Sequence, residues 1–252
     1  MINKQKLTEL LLPGVRERVG VFVYGSIGST NDAAKSLEFN GDAAVVFAEE
    51  QTAGKGRLGR VFNSPRGGLY MSIVCPPAAL KNYSAPGLLT CGAGLITAEC
   101  IERFCGKAAS LKWVNDVYTD GKKTAGVLCE SVSDSGGAPL RVVTGIGVNI
   151  SRSEQNSDFG ALFCAGHAPP FEPLAADIIN RFFGFDFGSD FIPQYKKRCF
   201  TLGNYVTVQD NPPYAAYALD IAPDGALTVK RADETVSKIE YGEVSVRVGR
   251  RI

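Results

Sequence analysis

Gln51-Thr52-Ala53-Gly54-Lys55-Gly56-Arg57-Leu58-Gly59-Arg60 interleaves three cations with three glycines. Glycines let a backbone approach a ligand closely and adopt positive φ. Lys55, Arg57 and Arg60 can meet phosphate oxygens, each such charge-assisted bond contributing about 1.5–3 kcal/mol. By itself the stretch reads equally well as a solvated surface loop. Three nucleotide motifs are excluded by what surrounds it. Gly54-x-Gly56-x-x-Gly59 fits the dinucleotide fingerprint, but Asn63, Ser64, Pro65, Gly67 and Gly68 follow where a helix must open. With Val61 it also fits a kinase glycine loop, and Asp-Phe-Gly occurs at 158–160 and 186–188. The single histidine, His167, precedes Ala168-Pro169, so no His-Arg-Asp exists. No G-x-x-x-x-G-K-[ST] is present either.

On the N-terminal side of the loop, Val21–Tyr24 reads as a strand. Ser29 or Thr30 then caps a helix to about Phe39, and Ala43–Ala48 reads as a second strand. Glu49 to Gly68 is expected to be polar loop. Beyond it come a strand over Leu69–Cys75 and a helix from Pro86 to Cys105, stopped by Gly106. Strands follow at Ser110–Val114, Val117–Tyr118, Thr124–Ser131 and Leu140–Ile150, with Asp120-Gly121 as a hairpin turn. Helical patterning returns over Leu174–Cys199, broken near Gly184–Gly188. From Leu202 the pattern is short β segments. These features predict an α+β domain over residues 1–200 and a small β-barrel over 201–252.

Lys and Arg (27) balance Asp and Glu (26), so bulk charge points to no polyanionic partner. One histidine excludes most His-based triads and His-rich metal sites. Seven cysteines without a C-x-x-C pair read as free thiols of a reducing cytoplasm. Residues 1–14 make no signal peptide, and no apolar run reaches a membrane span.

Read with its neighbours, the loop resembles the glycine- and arginine-rich loop of biotin–protein ligases. Further blocks stand in that family's order: Ser29-Thr30-Asn31, Lys112-Trp113-Val114-Asn115-Asp116, Lys123-Thr124-Ala125-Gly126-Val127-Leu128-Cys129-Glu130, Gly145-Ile146-Gly147-Val148-Asn149 and Gly242-Glu243-Val244-Ser245. The resemblance covers about residues 20–248. It implies a mixed-sheet α/β catalytic domain and an SH3-like C-terminal barrel. It also implies a two-step reaction, in which biotin and MgATP give biotinyl-5′-AMP and a carrier lysine then takes the biotin. The acceptor would be a biotin carboxyl carrier protein or carboxylase biotinyl domain. Only about 20 residues precede the first core strand, too few for the family's DNA-reading module, so no operator binding is expected. Family members occur as monomers and as homodimers paired by sheet edges, and both stay open.

The resemblance assigns Ser29, Thr30 and Gln51 to the biotin ureido group, with Asn31, Gly54, Lys55, Gly56, Arg57 and Gly126 also around biotin. Simple helix capping is an equally ordinary use of Ser29 and Thr30. Lys123 is the expected central catalytic residue, touching both the biotin carboxyl and the phosphate; out of context it is an ordinary turn lysine. Arg57 and Arg60 are assigned to phosphates, with Arg57 nearest the activated carboxyl and expected to be catalytic, and Lys112, Asn115 and Asn149 to phosphate or ribose. Asp116 is either the proton acceptor for the carrier lysine or an organiser of metal, although Asn-Asp is also common in turns. Phe62 matches an adenine-stacking position, or is a core aromatic. Glu243 and Arg247 would approach the nucleotide, or form a surface ion pair. Mg²⁺ would arrive with ATP rather than in a dedicated protein site. The loop is expected to be mobile when empty, because its like charges repel. Lys55 and Leu58 stand where the family has Arg, and Val114 where it has Pro. Arg and Lys are not equivalent at phosphate, and these departures leave fewer fork-shaped donors there. Two alternatives remain: a lipoate-type acyl-adenylate ligase, and a biotin-binding protein without turnover.

Overall fold

The computed structural model describes residues 2–39, 41–152, 159–240 and 244–247. Its helices are α1 (Lys4–Leu10), α2 (Pro13–Arg16), α3 (Thr30–Ser36), α4 (Pro86–Cys105), α5 (Glu172–Gly184) and α6 (Ile192–Arg198). The large sheet is built from β1 (Val19–Ile27), β2 (Ala43–Gln51), β3 (Leu69–Cys75), β4 (Ala109–Lys112), β5 (Asp116–Thr119), β6 (Lys122–Ser133) and β7 (Pro139–Val148). Their order is β1-β2-β3-β7-β6-β5-β4, with β1 and β2 parallel and the remaining neighbours antiparallel. A two-residue pair, β8 (Ser151–Arg152) and β9 (Phe163–Cys164), lies outside it. The C-terminal antiparallel sheet contains β10 (Tyr205–Val208), β11 (Tyr214–Ile221), β12 (Leu227–Lys230), β13 (Val236–Ile239) and β14 (Val244–Arg247). It is ordered β13-β12-β11-β10-β14. The fold is thus a mixed-sheet α+β domain followed by a small β domain, as the sequence patterns predict.

The large sheet is covered on both faces, which is why β2 and β3 read as unbroken apolar runs. Alternate residues of β2 divide between the faces: Val45 and Phe47 join the main core, while Ala44 and Val46 meet α3 through Ala34. α4 lies on the main-core face. Gly92 lets it approach closely, because a Cβ there would meet the Phe187 and Phe185 rings at 2.9–3.0 Å. Among the described residues no helix is long and apolar enough to cross a membrane.

β3 and α4 have their expected ends. α4 begins at Pro86 and closes on Gly106 at φ 71. Three local expectations are corrected. The helix after Ser29 ends at Ser36 rather than near Phe39, because Leu37 turns extended and its carbonyl accepts from Arg141 Nη1. Glu49–Gln51 belong to β2 rather than to the loop, since β1 continues to Ile27 and pairs Ile27 with Gln51. The stretch before β1, unassigned by pattern, carries α1 and α2. Leu7 and Leu11 are buried there, and Asn3 caps α1 while its backbone N–H donates to the buried Glu172 carboxylate.

Candidate active site

The strand registers build a trough across the large sheet. One row across neighbouring strands runs Tyr70, Gly147, Gly126, Asp116 and Lys112; the row beside it runs Ser72, Gly145 and Leu128. Same-face glycines in the middle of both rows leave a cavity of about 320 Å³. The glycines make room for identified groups. A Cβ on Gly147 would sit 2.5 Å from the Phe62 ring, and one on Gly145 would sit 2.2 Å from Asn31 Oδ1.

One end of the cavity carries the charge. Lys123 and Gly126 are three residues apart, so a regular pleat would point them to opposite faces. The register of β5 against β6 slips between Val117 and Tyr118, and this bulge returns Lys123 to the cavity. Its ammonium lies 2.6 Å from Asp116 Oδ1, with both side chains mostly buried. Asn115 is locked onto β6: its Nδ2 donates to Val127 O at 2.9 Å, and Val127 N donates back to Asn115 O at 2.8 Å. Lys112, Tyr118 and the buried Asn149 also border this end. Burial, and then the Asp116 charge, push the Tyr118 hydroxyl above its ordinary range.

The other end is a chain of hydroxyls and amides. Thr30 N donates to Gln51 Oε1 at 2.8 Å, with Thr30 Oγ1 at 3.0 Å from the same oxygen. Gln51 Nε2 donates to Ser64 Oγ at 2.7 Å, and Ser64 donates to Phe62 O. Ser29 is both the N-cap of α3 and a cavity residue, so capping and site membership coincide. Asn31 is also at the wall, but its amide is committed inward to Glu130, Leu128 O and Ser72.

The glycine-rich loop closes over the trough as a short hairpin, with Gly56 N donating to Arg60 O at 2.7 Å and Phe62 N to Gly54 O at 2.9 Å. Its tip is a turn at Arg57–Gly59 in which Leu58 takes φ 53. Gly56, Arg57 and Arg60 reach the cavity wall. Gly54 instead lies beneath the hairpin, where a Cβ would meet Phe62 O at 2.3 Å. Lys55 also borders the cavity, yet its ammonium is paired with Asp32 at 2.7 Å, and that hydrogen bond raises the lysine above its ordinary value. Phe62 packs on the glycine floor, edge-on to Tyr70 and 5.9 Å from Lys123 Nζ. Glu243 and the side chain of Arg247 lie outside the described residues. Among the described residues, no three His, Cys, Asp or Glu side chains converge on a metal position.

Residue-type reasoning missed Ser72, Ser64 and Glu130. The available signal was Ser72 itself, the one small polar residue in the apolar strand Leu69–Cys75.

Residues 24–149 match the biotin/lipoate A/B protein ligase family. The chain is 35% identical over 136 residues to the bifunctional ligase/repressor BirA of Bacillus spizizenii, a match covering 53% of this chain and 40% of that protein. It thus spans about two fifths of that relative's length. It is 28% identical over 233 residues to the biotin–[acetyl-CoA-carboxylase] ligase of Mycobacterium tuberculosis, covering 85% of this chain and 84% of that one. In fold it is similar to the biotin protein ligase of Aquifex aeolicus solved with biotin and ATP. The TM-score is 0.72 at 24% identity, covering 90% of this chain and 98% of the other.

Proposed function

The chain belongs to the biotin/lipoate A/B protein ligase family, and from that premise we propose that it is a biotin–protein ligase, joining biotin to a carrier lysine through biotinyl-5′-AMP. The observation that carries this reading is one cavity with two chemically different ends: amides and hydroxyls at Thr30 and Gln51, and a lysine–aspartate pair at Lys123 and Asp116. A cyclic urea needs the first and an acyl phosphate needs the second.

In the first half-reaction a biotin carboxylate oxygen attacks the α-phosphorus of ATP. The new P–O bond forms as the α–β bridge breaks, and pyrophosphate leaves with the electron pair. Lys123 Nζ offsets the growing negative charge at phosphorus, and Arg57 and Arg60 neutralise the phosphates. Lys123 must leave Asp116 to do so, which frees the Asp116 carboxylate. In the second half-reaction the carrier lysine amine attacks the acyl carbon, a C–N bond forms and AMP departs. Asp116 is positioned to take the amine proton. Lys112, Asn115 and Asn149 orient the nucleotide, whose adenine meets Phe62. Mg²⁺ would come with the phosphates, with Asp116 and Asn115 as the residues that would supply it oxygen, and its charge would offset that of the phosphates. The catalytic unit is residues 1–200 and the small β domain residues 201–252. The acceptor is a carboxylase biotinyl domain or carrier protein. The seven cysteines are free thiols, as a reducing cytoplasm keeps them.

The test is pyrophosphate release with biotin and MgATP, followed by the mass of an added biotinyl domain. Lys123→Ala is expected to lower the first rate by about 10²–10³, the effect of removing one group aimed at developing charge. Release with lipoate but not with biotin would move the chain to the lipoate branch. Release with neither would leave a binding protein.

A further inference from the structure

Behind the Thr30–Gln51 end, four oxygens stand in file. Asn31 Oδ1 is 2.6 Å from Ser72 Oγ, Ser72 Oγ is 2.8 Å from Thr30 Oγ1, and Thr30 Oγ1 is 3.0 Å from Gln51 Oε1. Three contacts share only two hydroxyl protons, because amide oxygens carry none. Ser72 is fully buried and Asn31 nearly so, so the two inner contacts must be settled by these protons alone.

Glu130 decides which contact goes without. Its carboxylate accepts from Lys35 Nζ at 2.5 Å and from Asn31 Nδ2 at 2.7 Å. A carboxylate only accepts, so the amide end facing it must be NH₂, and Asn31 Oδ1 must face Ser72. The Ser72 proton therefore goes to Asn31. The Thr30 hydroxyl proton is the one left to place, and it goes to the shorter contact, Ser72 Oγ at 2.8 Å rather than Gln51 Oε1 at 3.0 Å, because two hydroxyl oxygens that close need a proton between them. Thr30 Oγ1 and Gln51 Oε1 are left as two acceptors, 3.0 Å apart at the cavity wall. They lack a proton that a ligand N–H would supply.

We infer that Glu130, acting through Asn31 and Ser72, is a positioning residue that fixes the Thr30 hydroxyl as an acceptor and makes this end of the cavity select a ligand N–H. The inference rests on the biotin reading, since the ureido ring supplies such an N–H. It also gives a reason for Gly145, whose Cβ would displace the Asn31 amide on which the relay turns.

Glu130→Gln is nearly isosteric and reverses the file. Lys35, a pure donor, claims the Gln oxygen, so the Gln NH₂ faces Asn31 and turns that amide over, giving up only the longer 3.3 Å bond from Asn31 Nδ2 to Leu128 O. Asn31 then donates to Ser72, Ser72 to Thr30 and Thr30 to Gln51, and the acceptor pair is lost. The experiment titrates wild type, Glu130→Gln and Ser72→Ala with biotin and with the two biotins mono-methylated on a ureido nitrogen, alongside melting curves. Wild type is expected to prefer biotin to at least one methylated analogue by about tenfold, the order of one hydrogen bond to a buried acceptor. Both variants are expected to narrow that ratio severalfold, and Glu130→Gln to do so with its melting temperature held. A merely structural role would weaken all three ligands in parallel and leave the ratio intact. That result, or wild type binding biotin without discrimination, overturns the relay alone. Wild type that binds no biotin overturns the relay together with the functional reading.

Discussion

At the scale of single residues, the site depends on atoms that are missing as much as on those present. Gly147 is the clearest case. Its α-carbon supports the Phe62 ring, and a methyl group would stand 2.5 and 2.6 Å from two ring carbons. Gly147→Ala must therefore push Phe62 into the cavity or tilt the strand, and overpacking of this kind costs about 1–3 kcal/mol. Because the ring lies over the floor where ligands would rest, the expected outcome is weaker binding. Calorimetry should give about a tenfold loss for ATP, for biotin or for both. Unchanged affinity for both would mean that Phe62 does not shape the site. Cys75 and Cys129 behave oppositely, as packing atoms without chemistry. Burial pushes the Cys75 thiol to about 12 and the Cys129 thiol to about 11, so neither supplies thiolate near neutral pH.

At the scale of elements, the glycine-rich hairpin is fastened to α3 by Lys55 and Asp32, with Lys35 3.8 Å from the same carboxylate. Lys55 does here a different task from the phosphate contact expected of the family's Arg. Its pKa is raised, so on the alkaline side the strap holds until pH climbs through that raised value. Asp32→Asn is expected to raise amide hydrogen exchange severalfold over residues 54–62 while leaving β3 unchanged, read by mass spectrometry. Equal exchange in the two proteins would remove the strap. Asp32 also shows what sequence patterns could and could not supply. Elements bounded by strong stops, β3 before Pro76 and α4 between Pro86 and Gly106, were legible to the residue, because proline and glycine act locally. The site blocks were legible as types and order. Their partners were not: the Lys55–Asp32 pair, the Ser72 file and the bulge that turns Lys123 inward each depend on strand register and long-range packing. Helices α1 and α2 were missed for the same reason, their few apolar residues gaining meaning only against α5 and β1.

At the scale of the whole molecule, the small β domain braces the chemistry of the large one. The corner Lys112–Asp116, which delivers Lys112, Asn115 and Asp116 to the cavity, is held from three directions. Trp113 N donates to the buried Thr201 Oγ1 at 2.9 Å, and Tyr195 OH donates to Val114 O at 3.1 Å. The Trp113 indole Nε1 crosses to the β11–β12 turn and donates to Gly225 O at 2.9 Å. That turn also rests on the start of α4, where a Cβ on Gly87 would come within 2.9 Å of Asp224 O. Within the Lys-Trp-x-Asn-Asp block, then, the tryptophan is the anchor and its polar neighbours are the cargo. Trp113→Phe keeps an aromatic in the slot but leaves the buried Gly225 carbonyl only the weak Cys91 thiol contact at 4.0 Å, a loss of about 1–3 kcal/mol. For a chain of this size that is a fall of roughly 3–10 °C in melting temperature. A loosened corner should also misplace Asn115 and Asp116, so pyrophosphate release should slow more than biotin affinity weakens, separating kcat from KM. Tyr195→Phe cuts the second brace without touching the small domain and should show the same split to a smaller degree. If Trp113→Phe melts lower but keeps its full rate, the small domain stabilises the corner without tuning it. If it keeps both, the corner stands on its own and the brace is packing alone.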